Sequence, residues 1–259
     1  MKEIGLNLYS LRTFLASEES FLDTALKLKD MGYTFLQYSG GKFDAEMIAR
    51  VSRESGLPVI LTHAPKDRIF DDTDALMEEH ALFGCKNIGL GMVSTSVVTD
   101  PVAFVKEVDR LEAVAEKMNA AGFSFYYHNH HHELVKHGDV TALEYMLVNA
   151  PHLNFTLDTY WIQYGGGDIA DYIEKMSGRI GCVHLKDYKV NVSVDEKGKT
   201  VCTPKFAPVG QGNINFPKLV ELMKKAGTQH FIVEQDNAVT FDDPFAQVGA
   251  SVKYIKEVL

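Results

Sequence analysis

The 259-residue chain is poor in cysteine and contains no long apolar run. Its three cysteines, Cys85, Cys182 and Cys202, are widely spaced and odd in number. This usage argues against a disulfide framework and indicates a reducing compartment. No Cys-x-x-Cys pair is present, so we interpret all three as structural. The absence of a run of about 18 apolar residues argues against a transmembrane helix.

An excess of basic residues is also lacking. Lysine and arginine number 26 against 35 aspartates and glutamates, which gives a formal net charge of −9. Because phosphate binding requires clustered lysine and arginine, we expect no nucleic-acid partner. The sequence runs from Met1 directly into a strand-like segment, without the apolar region of a signal peptide. We therefore expect a cytoplasmic protein with no membrane partner, with a removed export signal as the alternative.

Short apolar runs alternate with longer amphipathic segments, the pattern of repeated βα units. The predicted strands are Ile4–Leu8, Phe35–Tyr38, Val59–Thr62, Asn87–Leu90, Phe123–His128, Asn154–Asp158, Ile180–Leu185 and Phe231–Glu234. The predicted helices are Ser20–Met31, Ala45–Ser55, Asp74–Phe83, Val102–Ala121, Thr141–Val148, Ile169–Met176, Phe216–Ala226 and Pro244–Val258. This order and length predict a single-domain α/β protein over residues 1–259, a (β/α)₈ TIM barrel. An open doubly wound sheet is the structural alternative.

Five glycines share one position in this repeat, each after a predicted helix and before a predicted strand. They are Gly32, Gly56, Gly84, Gly122 and Gly227. Glycine is favoured at the end of a helix because it adopts the left-handed conformation without a Cβ penalty. These glycines mark the bottom of the barrel, so the strand-to-helix connections at the opposite end are expected to carry function.

One strand-to-helix connection, after strand 7, is unusually long. Within it, Lys189–Val194 and Thr200–Thr203 alternate in polarity around a turn that contains Gly198. This pattern predicts a β-hairpin insertion. Because a long loop in a compact domain usually has a function, we expect the hairpin to be a lid or a dimer contact.

Ionisable side chains stand at the ends of several predicted strands. Asp158, His184 and Glu234 each lie where a strongly apolar strand ends, so their burial without a partner would be costly. In a barrel these strand ends surround one mouth. Carboxylates and imidazoles that converge there suit Mn²⁺, Mg²⁺, Zn²⁺ or Co²⁺, and such a metal acts as a Lewis acid on a substrate oxygen.

The chain resembles the xylose isomerase-like sugar isomerases and epimerases, which include tagatose and psicose 3-epimerases, hydroxypyruvate isomerase, inosose dehydratase and, more distantly, endonuclease IV. The segments that carry the resemblance are Gly5–Arg12, Tyr127–His130, Leu157–Trp161, His184–Asp187 and Val209–Gly212. The resemblance implies one divalent metal held by Asp158, His184 and Glu234, and a small-molecule sugar substrate. The sequence allows a homodimer or a tetramer.

Strand 5 departs from the pattern of this family. The epimerases carry a metal-binding glutamate at its end, whereas this chain has His128. Either His128 is the fourth ligand or Glu133 reaches back to fill that place. The epimerases move a proton with two metal-site glutamates, and only Glu234 matches here. The second base is therefore expected among His128, His130 and Glu133, since an imidazole suits general acid–base catalysis.

Other residues at the strand ends are candidates for contact with the substrate. Lys186 follows His184 at a spacing of two, so it shares its face, and we predict a catalytic role. A surface pair with Asp187 is the alternative. The predicted substrate-binding residues are Asn7, Tyr9, His63 and Trp161.

The resemblance and the strand ends together predict a metal-dependent isomerase or epimerase that acts on a ketose or related keto-sugar through an enediolate. The alternative is a lyase or dehydratase on a keto-inositol or keto-glycoside, because strand 5 of inosose dehydratase carries a similar His-x-His. A non-catalytic binding protein on this scaffold is a further alternative. An endonuclease is disfavoured by the negative charge.

Overall fold

In the computed structural model, which describes residues 1–259, eight parallel strands close into a barrel. In chain order they are β1 (Gly5–Asn7), β2 (Phe35–Tyr38), β3 (Val59–His63), β4 (Asn87–Leu90), β5 (Ser124–His128), β6 (Asn154–Asp158), β7 (Cys182–Leu185) and β8 (His230–Val233). Each strand pairs with the next, and β8 pairs with β1. The predicted (β/α)₈ barrel is confirmed, and the open sheet is wrong.

The helices surround this barrel. They are α1 (Glu18–Met31), α2 (Ala45–Ser55), α3 (Lys66–Asp71), α4 (Thr73–Leu82), α5 (Thr95–Val98), α6 (Pro101–Ala120), α7 (Ala142–Asn149), α8 (Thr159–Tyr164), α9 (Ile169–Lys175), α10 (Phe216–Lys225) and α11 (Pro244–Val258). The short helices α3, α5 and α8 were not predicted, because one or two turns give too short a periodicity. All five glycines predicted to end helices have positive φ, as their position requires. None of the helices combines the length and the apolar character that a membrane crossing requires.

Side chains inside the barrel form two layers. The lower layer is a separate cluster of five buried residues, Phe35, Leu61, Tyr126, Cys182 and Ile232. Two positions further along the same strands stand five polar residues, Gln37, His63, His128, His184 and Glu234. Residues i and i+2 of a strand face the same side, so each polar residue lies above an apolar one. The strands thus place an apolar floor under a polar layer at the barrel mouth.

The first and last strands of the barrel, β1 and β8, each end one residue earlier than predicted. β1 ends at Asn7 rather than Leu8, because residues Leu8–Phe14 form a 3₁₀ helix whose first turn is capped by the Asn7 side chain. β8 ends at Val233, which leaves Glu234 just beyond the strand. The polar residue at each of these two ends therefore faces the barrel mouth.

A long antiparallel hairpin follows β7, as predicted. Its strands, Asp187–Val194 and Thr200–Ala207, extend beyond the predicted ranges. The Asp187 carboxylate anchors its base by accepting hydrogen bonds from the backbone N–H groups of Tyr188, Gly210, Gly212 and Ile214. A second, short hairpin after β5, Lys136–His137 with Val140–Thr141, was not predicted.

Candidate active site

The ends of β5 to β8 bring four side chains to one point at the barrel mouth. They are His128, Asp158, His184 and Glu234, and one ligand atom from each lies within 4.8 Å of the others. All four residues are at most 4% exposed. Four buried donors this close together, two nitrogens and two oxygens, could hold a metal ion.

The distances within this cluster fit a single metal ion. His128 Nε2 lies 3.3 Å from Asp158 Oδ2 and 3.1 Å from His184 Nδ1. His184 Nδ1 lies 3.0 Å from Glu234 Oε2. A metal bonded to such ligands at about 2.0–2.2 Å separates neighbouring ligand atoms by about 3 Å. The mixed imidazole and carboxylate set suits Zn²⁺, Mn²⁺ or Co²⁺, and its oxygens suit Mg²⁺.

Lys186 is buried beside the cluster rather than paired with Asp187 at the surface. Its Nζ lies 3.1 Å from Glu234 Oε2 and 2.7 Å from Asp236 Oδ1. Burial by itself lowers the pKa of Lys186, but the carboxylates of Glu234 and Asp158 have the larger effect, and the pKa lies above its ordinary value. The ammonium therefore stays charged and offsets part of the negative charge of the site.

The same contacts keep the two carboxylates of the cluster ionised. Burial raises the pKa of Glu234, but Lys186 and His184 outweigh it and hold that pKa well below its ordinary value. Asp158 behaves likewise: burial raises its pKa, and Lys186 and His128 bring it below its usual range. Burial by itself lowers the pKa of His184, but the carboxylates of Glu234 and Asp158 have the larger effect and raise this pKa to about 9.

Neighbouring side chains hold the carboxylates in place. Asn7 Nδ2 donates to Glu234 Oε1 over 2.7 Å. Asp158 Oδ1 accepts from the N–H of Trp161, and so caps α8, while Oδ2 faces His128. Asp158 is thus both the N-cap of a helix and a member of the cluster. The N–H of Asp158 in turn donates to Asn129 Oδ1.

A cleft of about 450 Å³ opens above the cluster. Its lining includes Tyr9, Ser39, His63, Lys66, His128, His130, Lys186, Glu234 and Asp236. The structure therefore brings the predicted His63, His130 and Tyr9 to the same cleft. This volume is typical of a small-molecule site.

Trp161 lies behind Lys186, with its ring centroid 4.9 Å from Nζ. Phe206, from the hairpin after β7, lies 5.2 Å from the same Nζ. The two rings are 6.0 Å apart, and Tyr160 packs against Phe206 at 4.7 Å. The base of the long hairpin therefore adds an aromatic wall to the side of the site that holds Lys186.

His130 stands on the cleft side with one nitrogen, Nδ1, that has no hydrogen-bond partner. Burial, with the nearby His128 and Lys186, lowers the pKa of His130 to about 2. Its imidazole is therefore neutral at neutral pH. An uncharged imidazole with a free nitrogen beside the cluster can form a hydrogen bond with a substrate.

Glu133 does not join the cluster. Its fully buried carboxylate accepts hydrogen bonds from the Tyr127 hydroxyl and the N–H of His130, and contacts His132 Nε2 at 3.1 Å. The turn after β5 holds these groups around Glu133, so its carboxylate is engaged away from the mouth. Of the two candidates for the strand 5 corner, His128 is the one that the structure brings to the other three donors.

The sequence interpretation did not single out Gln37, Ser39, Asp236 and Phe206. The two-residue spacing of inward-facing side chains could have indicated two of them, because Gln37 lies two residues after Phe35 and Asp236 two residues after Glu234. Ser39 and Phe206 carried no such signal. Phe206 reaches the site only because the hairpin folds back over α8.

The profile of the xylose isomerase-like TIM barrel family matches residues 26–258, so the chain belongs to this family. No curated protein matches the sequence. Among solved structures, a sugar phosphate isomerase/epimerase from Parabacteroides distasonis is similar, with TM-score 0.79 and 20% identity over 99% of this chain and 94% of that chain.

Two further solved structures are similar to this chain. A xylose isomerase-like TIM barrel protein from Mycobacterium smegmatis, in complex with magnesium, has TM-score 0.73 and 14% identity over 100% of this chain and 96% of that chain. A probable 3-DHS dehydratase from Bacillus anthracis has TM-score 0.69 and 13% identity, with 99% of this chain and 100% of that chain covered. At these identities the likeness establishes the fold alone.

Proposed function

We propose that the protein is a divalent-metal-dependent isomerase or epimerase that acts on a ketose or related keto-sugar through an enediolate. The observation that carries this proposal is the cluster of His128, Asp158, His184 and Glu234 at the floor of a polar cleft. We propose these four residues as the ligands of one Mn²⁺, Zn²⁺, Mg²⁺ or Co²⁺ ion. The magnesium complex and the isomerase/epimerase named among the similar structures are consistent with this proposal.

The metal would supply a Lewis acid that polarises a carbonyl or hydroxyl oxygen of the substrate. Glu234, ionised and oriented by Asn7, is the proposed base that removes the proton from the carbon next to the carbonyl. Protonated Glu234 is the proposed donor that returns the proton to the neighbouring position, and neutral His130 is the proposed hydrogen-bond partner of the substrate oxygen beside it. The charged Lys186, which lines the cleft beside Glu234, is proposed to stabilise negative charge that develops on the substrate.

Unpartnered polar atoms around the cluster support a hydroxylated substrate. His130 Nδ1 and Trp161 Nε1 are buried and have no hydrogen-bond partner in the protein. Because unpaired buried polar groups are costly, such groups near a cleft are available to a ligand. Tyr9, which lines the cleft, supplies apolar surface against which a sugar ring can pack.

The test is incubation of metal-loaded protein with candidate ketoses in deuterated water. We expect deuterium to enter the carbon next to the carbonyl, with an isomer of unchanged formula, as followed by NMR and mass spectrometry. The matched controls are chelated protein and the His184→Ala variant. Protein that binds no divalent metal, or metal-loaded protein that exchanges no proton with any keto-sugar, would overturn the proposal and favour a binding protein.

A second candidate is a lyase or dehydratase that uses the same proton abstraction but expels a β-leaving group. The observation that favours it is His128, which leaves Glu234 as the only glutamate of the cluster. A β-elimination needs one base and a proton donor for the leaving group, rather than two matched carboxylates. The same incubation, with a keto-inositol or a keto-glycoside, decides between the two, because an unsaturated product would establish the lyase.

A further inference from the structure

Gln37, on the inner face of β2, connects the cluster to the wall of the cleft. Its Oε1 lies 2.7 Å from His184 Nε2, and its Nε2 lies 3.0 Å from His63 Nε2. The side chain is fully buried and has no other hydrogen-bond partner. One amide thus contacts both a member of the metal cluster and an imidazole that lines the cleft.

The carbonyl end of this amide determines the hydrogen positions on His184. An amide oxygen only accepts hydrogen bonds, so Nε2 of His184 must carry a hydrogen and donate it to Gln37 Oε1. The other ring nitrogen, Nδ1, is the one that faces Asp158 and Glu234. Gln37 therefore presents His184 to the cluster through the nitrogen that a metal requires as a free lone pair.

The amino end of the amide determines the hydrogen positions on His63. An amide NH₂ group only donates, so Nε2 of His63 accepts and carries no hydrogen. A neutral imidazole must then hold its hydrogen on Nδ1. That atom lies 3.3 Å from the hydroxyl oxygen of Ser39. Ser39 Oγ can accept this hydrogen bond, which leaves the hydroxyl hydrogen of Ser39 free to donate.

We propose that Gln37 is a positioning residue that directs Nδ1 of His184 at the cluster and fixes the tautomer of His63, and that the resulting chain of donors ends in the Ser39 hydroxyl, which binds an acceptor oxygen of the substrate. Every hydrogen bond from the Gln37 amino group to Ser39 points toward the cleft, and bonds aligned in this way strengthen one another. The group best suited to the end of this chain is an oxygen that accepts only, such as a ketone carbonyl. That substrate class rests on the proposed function, whereas the tautomers do not.

The tautomer of His63 can be measured directly by NMR on protein labelled with ¹⁵N-histidine, without metal or substrate. We expect His63 to carry its hydrogen on Nδ1. His80 is an internal reference for this tautomer, since its Nδ1 lies 2.6 Å from Leu76 O and its Nε2 lies 2.8 Å from the Thr62 hydroxyl. The His63→Asn variant identifies the signals of His63.

The decisive variant is Gln37→Glu. A carboxylate cannot donate, so His63 is expected to move its hydrogen to Nε2, while the signals of His80 stay unchanged. Gln163→Glu, at an exposed position, makes the same substitution and is expected to leave His63 unchanged. A wild-type His63 with hydrogen on Nε2, or an unchanged tautomer in Gln37→Glu, would overturn the proposed role of Gln37.

The substrate end of the chain is tested separately. For the keto-sugar that the enzyme turns over, Ser39→Ala is expected to raise KM about 2–10-fold, the loss of one hydrogen bond. Ser39→Thr, which keeps the hydroxyl, is expected to restore most of this loss. The rise in melting temperature on addition of metal should be the same in both variants. An unchanged KM in Ser39→Ala would overturn the role of Ser39 alone. If the protein binds no metal and turns over no keto-sugar, the proposed function is overturned, but the measured tautomer of His63 still stands.

Discussion

The Nε2 atom of His128 lies 3.1 Å from the Nδ1 atom of His184, and both nitrogens point into the same space between two carboxylates. Two imidazole nitrogens can stand this close if they share a proton or a cation. Nε2 of His184 donates its hydrogen to Gln37, so a metal bound here displaces the hydrogen that a pKa of about 9 keeps on Nδ1 of His184 in the metal-free protein.

Addition of a divalent metal to chelator-treated protein is expected to raise the melting temperature. A ligand at 100 times its Kd stabilises the folded state by about 2.7 kcal/mol. For a domain of this size that corresponds to about 5–10 °C, measured by calorimetry. His184→Ala and Asp158→Asn should lose this rise, whereas His152→Ala, at an exposed histidine, should keep it. An equal rise in His184→Ala would place the metal elsewhere.

The choice of metal is expected to depend on the strand 5 corner. Imidazole favours Zn²⁺ and Co²⁺, whereas carboxylate favours Mg²⁺ and Mn²⁺. His128→Glu should therefore lower the melting-temperature rise with Zn²⁺ and increase the rise with Mn²⁺ or Mg²⁺, in a series measured at equal concentrations. His131→Glu, which changes an exposed histidine of the adjoining turn, is the control. If both variants rank the metals as the wild type does, His128 does not contact the metal.

The barrel could be predicted from the sequence because each βα unit repeats the same local signals. A buried strand such as Phe231–Val233 and a helix-ending glycine such as Gly227 recur in register, so eight weak signals support one architecture. The convergence of Asp158, His184 and Glu234 followed from the barrel alone. Their strand ends are distant in the sequence and meet only because parallel strands place all their carboxyl ends at one mouth.

What could not be predicted depends on where side chains point after a turn. Glu133 is five residues past His128, and nothing in that spacing shows that its carboxylate folds back under the Tyr127 hydroxyl. For Lys186 the sequence likewise allowed either a role in the site or a surface pair with Asp187. Only its packing under Trp161 and Phe206 buries this side chain beside the cluster. Loops bring such residues together through tertiary contacts, which leave no periodic signal in the sequence.

Glu133 is expected to stabilise the turn after β5 rather than to hold the metal. Glu133→Gln weakens its acceptance of hydrogen bonds from Tyr127 and the N–H of His130. The free energy of unfolding should fall by about 1–3 kcal/mol, as measured by urea denaturation. The metal-dependent rise in melting temperature should remain. A variant of wild-type stability that has lost metal binding would instead make Glu133 a ligand.

His80 is expected to make stability fall in acid. Burial lowers the pKa of His80 to about 4, whereas in the unfolded chain it stays near 6.5. Between these values the unfolded chain binds the extra proton, so stability is complete above pH about 6.5 and is lost as the pH falls toward 4. The expected contribution is about 3 kcal/mol. It is measured by urea denaturation across this range, where His80→Gln should show a shallower slope, and an equal slope in the variant would exclude this histidine as the cause.

Phe206 is expected to contribute to substrate binding through the wall that it forms with Trp161. Its ring lies beside Lys186 and packs on Tyr160, so Phe206→Ala opens that side of the site to water. Aromatic contacts of this kind contribute about 0.5–1.5 kcal/mol, which corresponds to a KM raised by about 2–10-fold. Val192→Ala, further out on the same hairpin and 64% exposed, should leave KM unchanged. Because neither side chain is in the cluster, the metal-dependent rise in melting temperature should match the wild type in both. A KM that rises equally in the two variants would mean that the whole hairpin moves, and that Phe206 has no separate role as a wall of the site.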